Sequence, residues 1–210
     1  KMLKDRYGIE EEDFLSAELE IVPASKARDY GLDRSMIAGY GHDDRCCAYS
    51  SLRALLDLEE TPTYTSCCIL VDKEEVGSIG ATGAQSKFFE NCIMDLMNST
   101  GLKACSLRKV LTASKMLSSD VSAGFDPLFP QVNEVKNSCF LGKGVVFNKY
   151  TGSRGKGGCN DASPEFIAYL RKVMDDANVN FQTAELGKVD QGGGGTIAYI
   201  LALYGINVID

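Results

Sequence analysis

The chain has 210 residues, 44% of them hydrophobic, which suits one α/β domain with a small appendage and a real core and excludes a disordered polypeptide. Its formal net charge of −7 argues against a nucleic-acid partner, whose phosphates demand a basic face, and suits cations. No apolar run approaches the roughly 20 residues needed to cross a bilayer, and the first residues lack a signal peptide's apolar region, so the expectation is a cytoplasmic protein with no membrane partner.

Residues 1–38 differ from the remainder. A short charged helix through Arg6 runs into Gly8, an acidic stretch follows, residues 19–22 alternate like a strand, and residues 26–34 are polar and turn-like. This segment carries too little apolar surface to fold alone and reads as the tail of a domain.

A helix is predicted over 46–57, with Ala48, Leu52, Leu55 and Leu56 on one face. Asp43 and Asp44 precede it. A carboxylate there caps a helix, or it bridges two cations about 3.5 to 4 Å apart. His42 is the only histidine, so zinc ligation by histidine alone is excluded and Asp43 is the better metal candidate.

Residues 67–71 are small, apolar and β-branched, the pattern of a strand buried on both faces, and the text then switches to Asp72-Lys73-Glu74-Glu75. That places two carboxylates at the carboxyl end of a strand, where open α/β sheets bind ligands. Neighbouring carboxylates on a loop can point apart, one towards a metal and the other towards a proton; a solvated charged turn is the plain alternative. Thr82 and Gln85 are spaced as a capping box before a helix bearing Phe88, Phe89, Cys92, Ile93 and Leu96.

Gly101 ends that helix, residues 106–113 form a short one, and residues 115–121 read as a strand that brings a third acid, Asp120, near its end. A strand over 145–150 leads into a basic, glycine-rich loop whose Arg154 and Lys156 either contact a substrate carboxylate or are simply solvated. Ser163-Pro164 opens a helix with Phe166, Leu170, Val173 and Met174 as its buried stripe, and residues 181–184 read as a strand. Four glycines, 192–195, precede Thr196 and a helix to Tyr204; they let a ligand approach the backbone, either a nucleotide or a peptide lying against Gly194, Gly195 and Thr196. No Gly-Lys-Ser/Thr follows, so this is not a Walker loop. The last strand is 206–209. Eight cysteines, with no Cys-x-x-Cys pair, read mostly as small buried hydrophobes in a reducing compartment.

Gly41-His42-Asp43-Asp44-Arg45, Val71-Asp72-Lys73-Glu74-Glu75-Val76-Gly77-Ser78 with Thr82-Gly83-Ala84-Gln85-Ser86 behind it, Ser118-Ser119-Asp120-Val121-Ser122, and Asp190-Gln191 followed by the four glycines stand in one order. Together they resemble the M18 metallo-aminopeptidases, the aspartyl aminopeptidase group and particularly its bacterial branch, over nearly the whole chain. The resemblance implies a mixed, largely parallel sheet with helices on both faces, interrupted by an inserted β-rich dimerisation domain. Residues 1–38 would be the tail of that insertion and 39–210 the catalytic domain. It implies Asp43 as the bridging metal ligand, Glu75 and Asp120 as terminal ligands, Glu74 as general base, and two divalent ions, zinc with cobalt or manganese as substitutes. It also implies peptide substrates, a dodecameric homo-oligomer, and two histidine ligands outside these residues, so that the chain is expected to be a fragment of a longer enzyme. Ile79 stands where the family often has Glu, and Ala123 where many members have His, which leaves the preferred N-terminal residue open. Two further readings compete: a catalytically inactive assembly or binding subunit, and a magnesium or manganese phosphohydrolase, for which carboxylates without histidine are natural ligands.

Overall fold

The computed structural model describes residues 1–102, 106–154 and 156–210. The chain divides into two compact units, Lys1–His42 and Asp43–Asp210.

In the first unit, α1 (Met2–Tyr7) stops at Gly8, whose φ of 70° is the left-handed conformation that glycine adopts without steric cost. A single 3₁₀ turn spans Glu12–Leu15. The expected strand over residues 19–22 does not form, and Ile21 is fully exposed. Strand pairing occurs instead further on: β1 (Arg28–Tyr30), inside the stretch read as turn-like, lies antiparallel to β2 (Met36–Ala38), just after it. Asp33 makes the connection, its Oδ1 accepting from the Ser35 amide at 3.2 Å and hydroxyl at 2.8 Å. A polar turn followed by apolar residues is what a hairpin requires, whereas among the described residues no strand lies alongside 19–22 to complete a ladder. No residue of this unit is buried, in keeping with its small apolar content.

The second unit carries the core. After α2 (His42–Leu56) come α3 (Phe88–Ser99), α4 (Leu107–Ala113), β3 (Lys115–Leu117), β4 (Val145–Ser153), β5 (Gly157–Asp161), α5 (Pro164–Asp176), β6 (Phe181–Glu185), α6 (Ala198–Ala202) and β7 (Asn207–Ile209). β3 and β7 are parallel, Leu117 standing opposite Ile209, while β4 pairs parallel with β6 and antiparallel with β5. The Asn148 amide reaches the Asp210 carbonyl at 2.8 Å and so ties the end of β7 to β4. Successive residues of a strand face opposite ways. Val208 accordingly lies in one core with Met97, Leu107, Leu111 and Leu201 from α3, α4 and α6, and Ile209 in the other with Phe166 and Leu170 from α5. Helices therefore pack on both faces of β7, which with β3 forms a two-stranded parallel sheet beside the three-stranded mixed sheet β5-β4-β6.

α5 forms as its sequence predicts: Pro164 occupies the first turn, and the Ser163 hydroxyl accepts from the Phe166 amide at 3.3 Å. The capping box before α3 does not form. Thr82 donates instead to the Asp72 carboxylate at 3.1 Å and Gln85 to the Gly77 carbonyl at 2.9 Å, because both side chains are drawn into the preceding loop. Residues 67–71 are not a strand either. The one ladder contact there is an isolated bridge between Asp72 and Gly83, and Leu70 is exposed, since no strand among the described residues runs beside this segment. The cysteines are also less buried than expected: of those described, none is in a disulfide and only Cys139 is buried.

Candidate functional site

Parallel strands end on the same edge of a sheet, and here β3 and β7 deliver acidic residues to that edge. The Ser118 amide still pairs with the Ile209 carbonyl at 2.8 Å, but β3 stops at Leu117 and not at the expected residue 121, so Asp120 lies in the segment after β3 and Asp210 directly after β7. Asp43 and Asp44 come from the start of α2. Their backbones, at φ −87° and −126°, are not helical, and the peptide bond joining them is cis. One carboxylate oxygen from each of Asp43, Asp44 and Asp120 lies within 4.8 Å of the others.

The acidic loop supplies the next group. Glu74 and Glu75 sit in a 3₁₀ turn, Glu74–Val76. The loop is pinned by hydrogen bonds from the Ser78 amide to the Lys73 carbonyl at 2.7 Å and from the Gln85 amide to the Ser78 carbonyl at 3.1 Å. Gly83 closes it: a Cβ there would overlap the carbonyls of Ser78 and Ile79. Glu74 is half-buried and Glu75 exposed.

These carboxyl groups perturb one another. Burial pushes Asp120 up to about 7, helped by the charges of Asp210, Asp44 and Glu74 and opposed by the Val121 amide that donates to it at 2.7 Å. Glu74 is raised by burial and by the charges of Glu75, Asp43, Asp44 and Asp210. Asp44 is raised by burial and, less, by Asp43, against the Cys47 thiol that hydrogen-bonds it. The same contact, with burial first, pushes the Cys47 thiol up. Asp210 is raised by burial against the Asn148 side-chain amide, 3.1 Å away, and the nearby Ser118 and Thr196 hydroxyls. Oδ1 of Asp44, Oδ1 of Asp210 and Oγ of Ser118 are buried without a hydrogen-bond partner. Carboxylates crowded to this degree, with acceptor oxygens orphaned, are compensated by a proton or a cation.

Of the residues singled out in the sequence, the structure thus brings Asp43 and Asp120 together and sets Glu74 within the reach of their charge. Glu75 lies outside the group of three. Gly194 offers its carbonyl to the Gly152 amide at 2.9 Å, Gly195 is exposed, and buried Thr196 lies beside Asp210. Sequence reasoning missed Asp44 and Asp210 as members of the cluster. The signal for Asp210 was there: an acid one position beyond a buried strand, matching Asp120 beyond β3. For Asp44 there was none, because an acid before a helix is a common cap.

A family model described as aminopeptidase I zinc metalloprotease (M18) matches residues 1–210. The probable M18 family aminopeptidase 1 of Clostridium acetobutylicum is 66% identical over 211 residues, covering 100% of this chain and 45% of that protein. The chain spans about half the length of the curated relatives it matches. The crystal structure of aminopeptidase I from Clostridium acetobutylicum superposes with a TM-score of 0.88 at 66% identity, covering 100% of this chain and 45% of that one. That of the M18-family aminopeptidase from Thermotoga maritima gives 0.92 at 47% identity, covering 100% and 46%.

Proposed function

Given that this chain belongs to the M18 family of zinc metalloproteases, we propose that the intact protein is an aminopeptidase that removes N-terminal residues from peptides, using two metal ions and Glu74 as general base. The observation that carries this reading is the convergence of Asp43, Asp44 and Asp120 beside half-buried Glu74 at the carboxyl edge of parallel strands.

Asp43, Glu75 and Asp120 would hold the ions, zinc by the family's description, with cobalt or manganese as substitutes. The donor set fits divalent cations: carboxylate oxygens of Asp43 and Asp120 lie within 4.8 Å of each other in the acidic group, and Asp120 is raised by burial and by the charges around it. Bound there, the metals supply a Lewis acid and acidify the attacking water. Glu74 would take the proton from that water and return it to the departing amine, a task suited to a carboxyl raised by burial and neighbouring charge. The substrate's ammonium end is drawn to the acidic cluster, which accounts for attack at a chain terminus. Gly194, Gly195 and Thr196 present backbone and a hydroxyl to the peptide. Residues 1–38 read as the tail of an inserted dimerisation domain and 39–210 as the catalytic domain.

The Saccharomyces cerevisiae mApe1 structure, 20% identical, is a dodecamer. The same assembly is proposed for the intact protein, with support from exposed Leu15, Leu19 and Leu32 in a unit that buries nothing. Light scattering that finds a monomer contradicts it.

The roles of the two glutamates separate on substitution in the intact protein. Glu74→Gln should keep both metals and lose about 10²- to 10⁴-fold in kcat, since an amide accepts no proton. Glu75→Gln should lose metal, and activity with it. Metal analysis beside turnover decides; equal metal loss in both variants, or full activity in Glu74→Gln, means that the roles are assigned wrongly.

A further inference from the structure

We propose that Asp44, Cys46 and Cys47 form a second cation site, specific for a thiophilic divalent ion of the zinc or cadmium class and separate from the ligands assigned to the peptidase metals. A carboxylate oxygen of Asp44 and the sulfurs of Cys46 and Cys47 all lie within 4.8 Å of one another. The two sulfurs are 3.9 Å apart. Two thiolates bonded at ~2.3 Å to one tetrahedral zinc stand about 3.8 Å from each other, so the pair already has the separation of a coordination edge.

Three further features point the same way. The Cys47 thiol hydrogen-bonds the Asp44 carboxylate, which shows that sulfur and oxygen face a common point. Oδ1 of Asp44 is buried with no hydrogen-bond partner, an acceptor left for a ligand. Cys46 is exposed, which gives an ion its approach.

Binding exchanges the two thiol protons for the cation and leaves two thiolates and one carboxylate as donors. Sulfur selects soft ions over the magnesium and calcium that carboxylates alone would take. Asp44 also belongs to the acidic group with Asp43 and Asp120, so an ion held by the thiols lies next to that group.

The test uses cadmium chloride on the reduced, intact protein with its resident metals in place, and reads the near-ultraviolet thiolate-to-cadmium charge-transfer absorption. The readout is sulfur-metal bonding, so it stands or fails independently of peptide hydrolysis. One cadmium per chain is expected to produce the band. It should disappear in Cys46→Ser/Cys47→Ser, which keeps every other cysteine, and the affinity should fall by at least about tenfold in Asp44→Asn, which keeps both thiols. Cadmium should also protect Cys46 and Cys47 of the unaltered protein from alkylation, mapped by peptide mass. Equal alkylation with and without cadmium, no band, or a band that survives in the double variant overturns the proposal.

Discussion

Asp210 follows Ile209, the strand partner of Leu117, and from that place its charge adds to the burial that lifts Asp120, three residues beyond Leu117, to about 7. Two acids beyond the ends of parallel strands are thus coupled by the register of a ladder only three residues long. A cation must displace the proton that Asp120 keeps near neutrality. Calorimetry on the metal-free protein with manganese, which the thiol pair does not select, should show affinity rising with pH up to about 7 and levelling above it. Affinity independent of pH across that range would contradict the coupling.

The same group sets a stability trend of opposite sign. An unfolded Asp titrates near ~3.9. Between that value and about 7 the folded, metal-free protein holds a proton that the unfolded chain has released, so stability should fall as pH rises through this window. Thermal melts at a series of pH values check this, and bound metal should reverse it.

Asp210→Asn removes the charge while keeping a side chain that can face Asn148. The pH at which metal affinity levels off should then move down, since Asp120 loses a neighbour that disfavours its ionised form. A midpoint that stays in place means that burial alone sets it.

Ile209→Ala should cost about 3 kcal/mol, because the side chain is 1% exposed and packs against Phe166 and Leu170. Ser163→Ala should cost about 1 kcal/mol through loss of the cap on α5. The two melting-point shifts measured side by side check the ranking; a larger loss from the cap would place the weight of this region in the helix rather than beneath it.

Gly193 has φ +94°, and a Cβ there would overlap the Gly152 carbonyl. Gly193→Ala should displace residues 194–196 and raise KM for a peptide substrate more than it lowers kcat. An unchanged KM would remove that segment from substrate binding.

What the sequence determined by itself were features whose causes are local. The Ser163-Pro164 start of α5 and the glycine stops after α1 and α3 depend on residues a few positions apart, and each is found in the structure, whereas the strand expected over 115–121 stops at Leu117, three residues short of Asp120. The motifs also led to the family, because their order along the chain survives without any knowledge of contacts. Features that need a distant partner had to wait for the tertiary structure. Residues 67–71 carry a strand's composition yet form none, because a ladder requires a neighbour and no described strand runs beside them. Thr82 and Gln85 have capping-box spacing yet turn back to Asp72 and Gly77. Asp210 joins the acidic group only because β7 runs parallel to β3, and the thiols of Cys46 and Cys47 meet the Asp44 carboxylate only because the backbone at Asp43 and Asp44 leaves the helix. Propensity and spacing act within a turn or two, whereas sheet register and the crowding of like charges are set by whole elements packing together, and that packing decided which acids became a site.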